Sequence, residues 1–362
     1  MKMGSAMLMN VVSSGVVLAI ALACLSSGAS SAPGVDMATA MFVFGDSLVD
    51  VGNNNYLPFS LIKADFEHNG LDFASDDQPT GRFCNGKNSA DWLAERFGLA
   101  MSPPPYLALD ANDASSFMAG VSFASGGAHI NGSAQDPNQA IGLADQISYY
   151  ESVSQVLETK MGSTDAKKLL SESVYTFVIG SNDIFFYYRN LEKQTASPSQ
   201  FVHQMALTLN DQLKRLYDDG ARRFVVAGVP SLGCTPKLRV LSSNSDCSEA
   251  HNAMAAMYNQ QLKSVLADLK ADGAVGLNAT YEYLDTFAVL QSFVQNPASY
   301  GFVEVNAACC GLGDLKAKLP CLPFAMYCDN RNDHVFWDFV HPTEAAAEII
   351  VDSFFKQRSR HL

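Results

Sequence analysis

A serine sits in Phe44-Gly45-Asp46-Ser47-Leu48, and far along the chain Trp337-Asp338-Phe339-Val340-His341-Pro342-Thr343 sets an acid three residues before a histidine. These three residue types can work as a unit. A serine hydroxyl is a weak nucleophile until a histidine accepts its proton, and that histidine needs a carboxylate on its other ring nitrogen to fix the tautomer and stabilise the imidazolium. The short Asp338 to His341 spacing lets one turn of chain fold the acid onto its own histidine. Each half alone has a plainer reading, since Asp46 and Ser47 are good helix-capping residues and Asp338 and His341 suit any loop. Together they give the expected roles: Ser47 as nucleophile, His341 as general base, Asp338 as its orienting acid. Because the base must be neutral, activity is expected to fall at acid pH.

Acyl transfer of this kind generates an oxyanion that needs preorganised N–H donors. Two segments offer them. Gly120-Val121-Ser122-Phe123-Ala124-Ser125-Gly126-Gly127-Ala128 runs from a strand into paired glycines, and Val178-Ile179-Gly180-Ser181-Asn182-Asp183 ends another strand at an amide side chain. Gly-Gly and Asn-Asp are also common turn pairs.

These residues must be positioned by strands. Short apolar, β-rich runs at Met41 to Phe44, Gly120 to Phe123, Val174 to Ile179 and Phe224 to Val229 read as buried parallel strands. Helical patterns lie between them, from about Ser199 to Tyr217 and from about Ser248 to Lys270, and a last helix starts near Pro342, a residue suited to a first turn. Strand alternating with helix implies an α/β fold with one doubly wound parallel sheet and helices on both faces. Gly45 allows a tight exit from the first strand, leaving Ser47 at a carboxyl end, where such sheets bind ligands. The segment from Pro58 to Pro105, rich in Asp, Asn, Gly and Pro, reads as a long excursion on the binding side.

The chain has 362 residues, 48% of them hydrophobic, and a net charge of -13. That supports a substantial core, and the acidity argues against a nucleic acid or an anionic membrane surface as partner. Residues 1–32 carry Lys2 as their one charge, then an apolar run from Val11 to Cys24, then small residues up to Ala32. This is the order of a secretory signal peptide, and the apolar run is shorter than the roughly 20 residues that span a bilayer. The expectation is a secreted protein with no stable membrane anchor, whose residues 33–362 form a single domain, monomeric by default. Two glycosylation sequons, at Asn131 with Ser133 and Asn278 with Thr280, agree with secretion.

Loss of the leader leaves seven cysteines, which suggests three disulfides and one leftover thiol. Cys84 is the expected odd one. Cys234 with Cys247 closes a short polar loop, while Cys309 and Cys310 pair with Cys321 and Cys328 in an order the sequence leaves open. The adjacent cysteines are poor zinc-ligand spacing.

Ser47, Gly126, Asn182 and His341, in that order, resemble the four blocks that name the SGNH hydrolases. More narrowly the chain is similar to plant GDSL esterases/lipases. Pro79-Thr80-Gly81-Arg82-Phe83, Asn85-Gly86, Val229-Pro230-Ser231-Leu232-Gly233-Cys234 and Cys309-Cys310-Gly311 add to the likeness. The resemblance implies a flavodoxin-like three-layer α/β/α sandwich, no cofactor and no metal, and hydrolysis of small-molecule or lipid esters. It also implies an oxyanion hole built from the Ser47 and Gly126 N–H groups with the Asn182 side chain, Gly127 being the adjacent alternative. The chain departs from the family where it has Ser122 and His129, which softens the Gly126 assignment. His334 is a second histidine near the site, without the acid three residues earlier. The other histidines, His68, His203, His251 and His361, are expected in packing roles, as are Phe185, Phe186, Tyr187 and Tyr188 rather than in an acyl pocket. A Gly-x-Ser-x-Gly elbow is absent. Two rivals use the same residues or fold: an acyltransferase passing its acyl group to an alcohol, and a non-catalytic lipid- or carbohydrate-binding protein.

Overall fold

The computed structural model describes residues 37–73, 79–131, 139–272 and 278–361. The predicted leader, residues 1–32, and Ser133 of the first sequon lie outside them. In chain order the strands are β1 (Met41–Gly45), β2 (Gly120–Ser122), β3 (Val174–Val178), β4 (Arg223–Ala227), β5 (Thr280–Leu284), β6 (Glu304–Ala308) and β7 (His334–Phe336). The helices are α1 (Ser89–Arg96), α2 (Leu143–Met161), α3 (Ser163–Glu172), α4 (Ser181–Arg189), α5 (Pro198–Asp218), α6 (Pro236–Arg239), α7 (Glu249–Ala271), α8 (Thr286–Gln295) and α9 (Glu344–His361).

Five strands form one sheet in the order β2-β1-β3-β4-β5, every pairing parallel. This is the flavodoxin-like order, with its topological switch point between β1 and β3. Parallel strands covered on both faces read as continuous apolar runs, and β1 is buried at all its positions. Phe42 and Phe44 point to the layer of α2, α5 and α7, while Met41 and Val43 point to the layer of α1, α8 and α9. Phe44 stacks between Phe123 and Phe177, at 5.2 and 4.8 Å. The three-layer α/β/α architecture expected from the sequence is therefore present.

Local chemistry sets the helix ends. Pro198 opens α5 behind a Ser197/Gln200 capping box, and Asn88 with Asp91 forms another ahead of α1, satisfying N–H groups a helix leaves open. The strand β5, Thr-Tyr-Glu-Tyr-Leu, escapes the sequence reading because it is a half-exposed edge strand rather than an apolar run. A separate two-stranded sheet pairs β6 with β7. It is backed by the disulfides Cys309–Cys328 and Cys310–Cys321, the pairing order the sequence had left open. Cys234 bonds Cys247 and Cys84 is a buried free thiol, as expected. Among the described residues no helix is long and apolar enough to cross a membrane.

Candidate active site

The site forms where β1, β2 and β3 end. Gly45 is required there by closeness: a Cβ on it would lie 2.4 Å from the Val178 carbonyl oxygen. Its peptide is gripped by Gln146 of α2, whose Oε1 accepts the Gly45 N–H and whose Nε2 donates to the Gly45 carbonyl, both at 2.9 Å. The Asp46 N–H donates to the Val178 carbonyl at 3.0 Å, so the turn bearing Ser47 hangs directly from β3.

Ser47 and His341, 294 residues apart in sequence, meet here, with His341 Nε2 2.7 Å from Ser47 Oγ. The other ring nitrogen, Nδ1, lies 2.7 Å from Asp338 Oδ2. Asp338 Oδ1 accepts the N–H groups of Val340 and His341, at 2.9 and 2.8 Å, and so shapes the short turn between acid and histidine. That turn is fastened from behind. The Trp337 N–H donates to the His341 carbonyl at 2.8 Å, and Cys309 and Cys310 donate to the carbonyls of Phe336 and Trp337. Trp337 itself is buried against the disulfide cluster. Phe83 lies against the imidazole with ring centroids 5.2 Å apart, and its segment is anchored by the neighbouring Arg82, which forms a bidentate, buried pair with Asp91 at 2.7 Å.

The oxyanion donors are arranged differently from expectation in one respect. The Gly126 N–H donates to Asp50 Oδ2 at 2.9 Å, and Gly126 is buried. In this structure that donor, expected from the sequence to face a substrate oxygen, is occupied by a carboxylate. The adjacent Gly127 is partly exposed, at φ 85°, and among the described residues its N–H and that of Ser47 have no hydrogen-bond acceptor. Asn182 Nδ2 donates one hydrogen to the Ala128 carbonyl at 3.1 Å, which orients the amide and leaves its second hydrogen for another acceptor. Next to it, buried Asp183 accepts the N–H groups of Ile130 and Asn131, so the start of α4 holds the loop following Gly127. Burial raises the Asp183 carboxyl above its usual range, with His129 3.8 Å away opposing that rise. The same burial lowers His129.

Two further carboxylates lie under the nucleophile. Asp46 is fully buried, and desolvation pushes it up to about 7 against the opposing Leu48 N–H and the nearby His341. Among the described residues its Oδ2 has no hydrogen-bond partner. Asp50 is pushed up to about 6 by burial, despite accepting three backbone N–H groups. Sequence reasoning offers Asp46 only a capping role and assigns none to Asp50, Gln146 or Asp183. The signal available for Asp50, Asn53 and Asn54 was polar residues packed tightly behind a buried strand.

A cavity of about 70 Å³ opens from Ser47, Asn182 and His341. Its walls come from the ends of β3, β4 and β5 (Val178, Ala227, Leu284) and from α4, α8 and α9 (Phe185, Leu290, Ile350). Phe185 packs against the core, as expected, and also lines the cavity, whereas Tyr187 is buried in the core and Tyr188 lies on His251. His334 pairs with Asp333 at 2.6 Å. His68 bonds the Ala325 carbonyl, and among the described residues no cluster of His, Cys, Asp and Glu could hold a metal ion.

A flavodoxin-like sheet with a Ser/His/Asp constellation at its switch point defines a class of α/β protein, and the comparisons narrow it. Residues 41–354 match the family described as GDSL-like Lipase/Acylhydrolase. The chain is similar to a GDSL esterase/lipase of Arabidopsis thaliana, 46% identical over 340 residues and covering 89% of each chain. A second Arabidopsis thaliana GDSL esterase/lipase is 36% identical over 348 residues, covering 94% of this chain and 95% of the other. Among solved structures, a catalytic mutant of an acetylxylan esterase from Geobacillus stearothermophilus aligns with a TM-score of 0.39 and 12% identity, over 90% of this chain and 95% of that one. This chain belongs to the GDSL lipase/acylhydrolase family and is a carboxylic ester hydrolase.

Proposed function

We propose that the chain is a secreted serine esterase acting on esters with an apolar acyl or alcohol part through a Ser47 acyl-enzyme. The observation that carries this reading is the hydrogen-bonded line from Ser47 Oγ through His341 to Asp338, two contacts of 2.7 Å. Ser47 Oγ attacks the ester carbonyl while His341 Nε2 takes its proton, and the carbonyl oxygen becomes anionic. The N–H groups of Ser47 and Gly127 and the second hydrogen of the Asn182 amide are the donors for that oxygen. The intermediate collapses, and His341 protonates the departing alcohol. Water, deprotonated by the same imidazole, then releases the acid and restores Ser47.

The hydrocarbon lining of the cavity beside Ser47 supports an apolar substrate group, each buried methylene being worth about 0.8 kcal/mol. The acidic balance of the chain favours a neutral ester over nucleic acid. The leader of residues 1–32 and the three disulfides fit an oxidising, extracellular setting, where the exposed Asn278 is open to glycosylation. A single-domain monomer suffices, because Ser47, His341, Asp338 and Asn182 come from one chain.

The test is hydrolysis of nitrophenyl esters from acetyl to palmitoyl beside Ser47→Ala and His341→Ala, with glycerol added in parallel to catch acyl transfer. Loss of most of the rate in both variants supports the acyl-enzyme, and the chain-length profile separates esterase from lipase. Full turnover by folded Ser47→Ala removes it.

A further inference from the structure

The run Asn53-Asn54-Asn55 has no part in the chemistry above, yet Asn53 and Asn54 are buried almost completely. Both hydrogens and the oxygen of the Asn54 side-chain amide are hydrogen-bonded. Nδ2 donates to the Ile62 carbonyl at 2.7 Å and to the Gly126 carbonyl at 2.8 Å. Oδ1 accepts the Ser125 hydroxyl, which in turn accepts the Ile141 N–H at 2.9 Å. Asn53 holds the preceding stretch, donating to the carbonyls of Ser122 and Ala124 at 2.8 Å each.

The contact to the Gly126 carbonyl has a directional consequence. That carbonyl and the Gly127 N–H belong to one peptide unit, which is planar and trans, so its C=O and N–H point opposite ways. Drawing the carbonyl inward toward Asn54 turns the Gly127 N–H outward. Asp50 fixes the peptide unit before it by accepting the Gly126 N–H, while its Oδ1 accepts the N–H groups of Gly52 and Asn53. Paired glycines lack side chains to resist rotation of this peptide, and Gly127 at φ 85° is in the left-handed region. Their orientation depends on outside groups.

We infer that Asn54, assisted by Asp50, is a positioning residue for the oxyanion hole: it holds the Gly126–Gly127 peptide with its carbonyl inward so that the Gly127 N–H faces the developing oxyanion. This rests on the serine acyl-enzyme reading. Asn54 touches no reacting atom. Its effect passes through one peptide rotation and belongs to the transition state, where the oxygen carries charge, more than to substrate binding.

The experiment is steady-state hydrolysis of nitrophenyl butyrate by Asn54→Asp, which keeps the side chain's shape and removes both donors, run with Ser47→Ala and Asn182→Ala. The expected result is a fall in kcat of about 100-fold, as for loss of one oxyanion donor, with KM within about threefold of wild type. Folded Asn54→Asp with wild-type kcat, or with its loss confined to KM, overturns the inference while an inactive Ser47→Ala leaves the acyl-enzyme standing. An active Ser47→Ala overturns that reading instead. Should Asn54→Asp fail to fold, the crystal structure of the wild-type enzyme after reaction with a nitrophenyl methylphosphonate decides the matter. The phosphonyl oxygen on the Gly127 N–H, with Asn54 still on the Gly126 carbonyl, supports the inference. The same oxygen on the Gly126 N–H, with Asp50 displaced, overturns it.

Discussion

Replacing Asp338 with Asn tests the site with almost no change of shape. Asp338 Oδ1 accepts two backbone N–H groups, from Val340 and His341, and Oδ2 faces His341 Nδ1 at 2.7 Å. An Asn has one amide oxygen, and the two backbone donors hold it on the Oδ1 side. Its NH₂ then faces Nδ1, which must give up its hydrogen to accept. The imidazole proton moves to Nε2, 2.7 Å from Ser47 Oγ, and the intended base becomes a donor. The same exchange in a serine protease triad costs about 10⁴-fold in kcat, equivalent to about 5.4 kcal/mol of barrier. Asp338→Asn is therefore expected to lose about 10⁴-fold in kcat on nitrophenyl butyrate, with KM and the thermal midpoint nearly unchanged. A folded Asp338→Asn enzyme within tenfold of the wild-type kcat would refute both the tautomer argument and the role given to Asp338.

Asp46 and Asp50 are held at about 7 and about 6 in the folded chain, against about 3.9 when unfolded, so between those limits the folded state binds more protons. Their contribution to stability therefore rises as pH falls from about 7 towards 4. Asp46→Asn, which keeps an acceptor for the Leu48 N–H, is expected to gain on the order of 2–4 kcal/mol relative to wild type at pH 8 and little at pH 4. Denaturant unfolding at both pH values checks this, and an equal effect at the two contradicts it. The Cys310–Cys321 bond spans 11 residues of sequence, and replacing both cysteines by Ser should cost about 2–3 kcal/mol through loop-closure entropy in the unfolded chain. A loss below about 1 kcal/mol in non-reducing unfolding would show that the segment is held by packing instead.

How much of this was legible in the sequence depended on the length scale of each interaction. Strands such as Val174–Val178 announce themselves because both faces are buried and the run is apolar. The Asp338 and His341 pair is local, and a local pair can be seen in a short window. By contrast, whether Gly126 or Gly127 offers its N–H is decided by Asp50, 76 residues before Gly126, and no spacing rule reaches that far. Gln146 was missed for the same reason: it grips Gly45 across 101 residues from the first turn of an ordinary helix. The order of the two nested disulfides, Cys310–Cys321 inside Cys309–Cys328, depends on how the segment around β6 and β7 folds, and β6 is a half-exposed strand with little apolar pattern. Phe185 packs against the core as read from the sequence, and its second role as a cavity wall was not legible because a residue at the end of a core often serves both.

The 294-residue gap between Ser47 and His341 also has a meaning in time. Synthesis is vectorial, and strands β1 to β5 emerge well before the segment that carries the base. A nascent chain can thus pair its whole main sheet and present Ser47 while no proton acceptor exists to activate it. Under the proposed mechanism, hydrolytic competence waits until residues 338–341 have been made and docked against the backbone of Cys309 and Cys310.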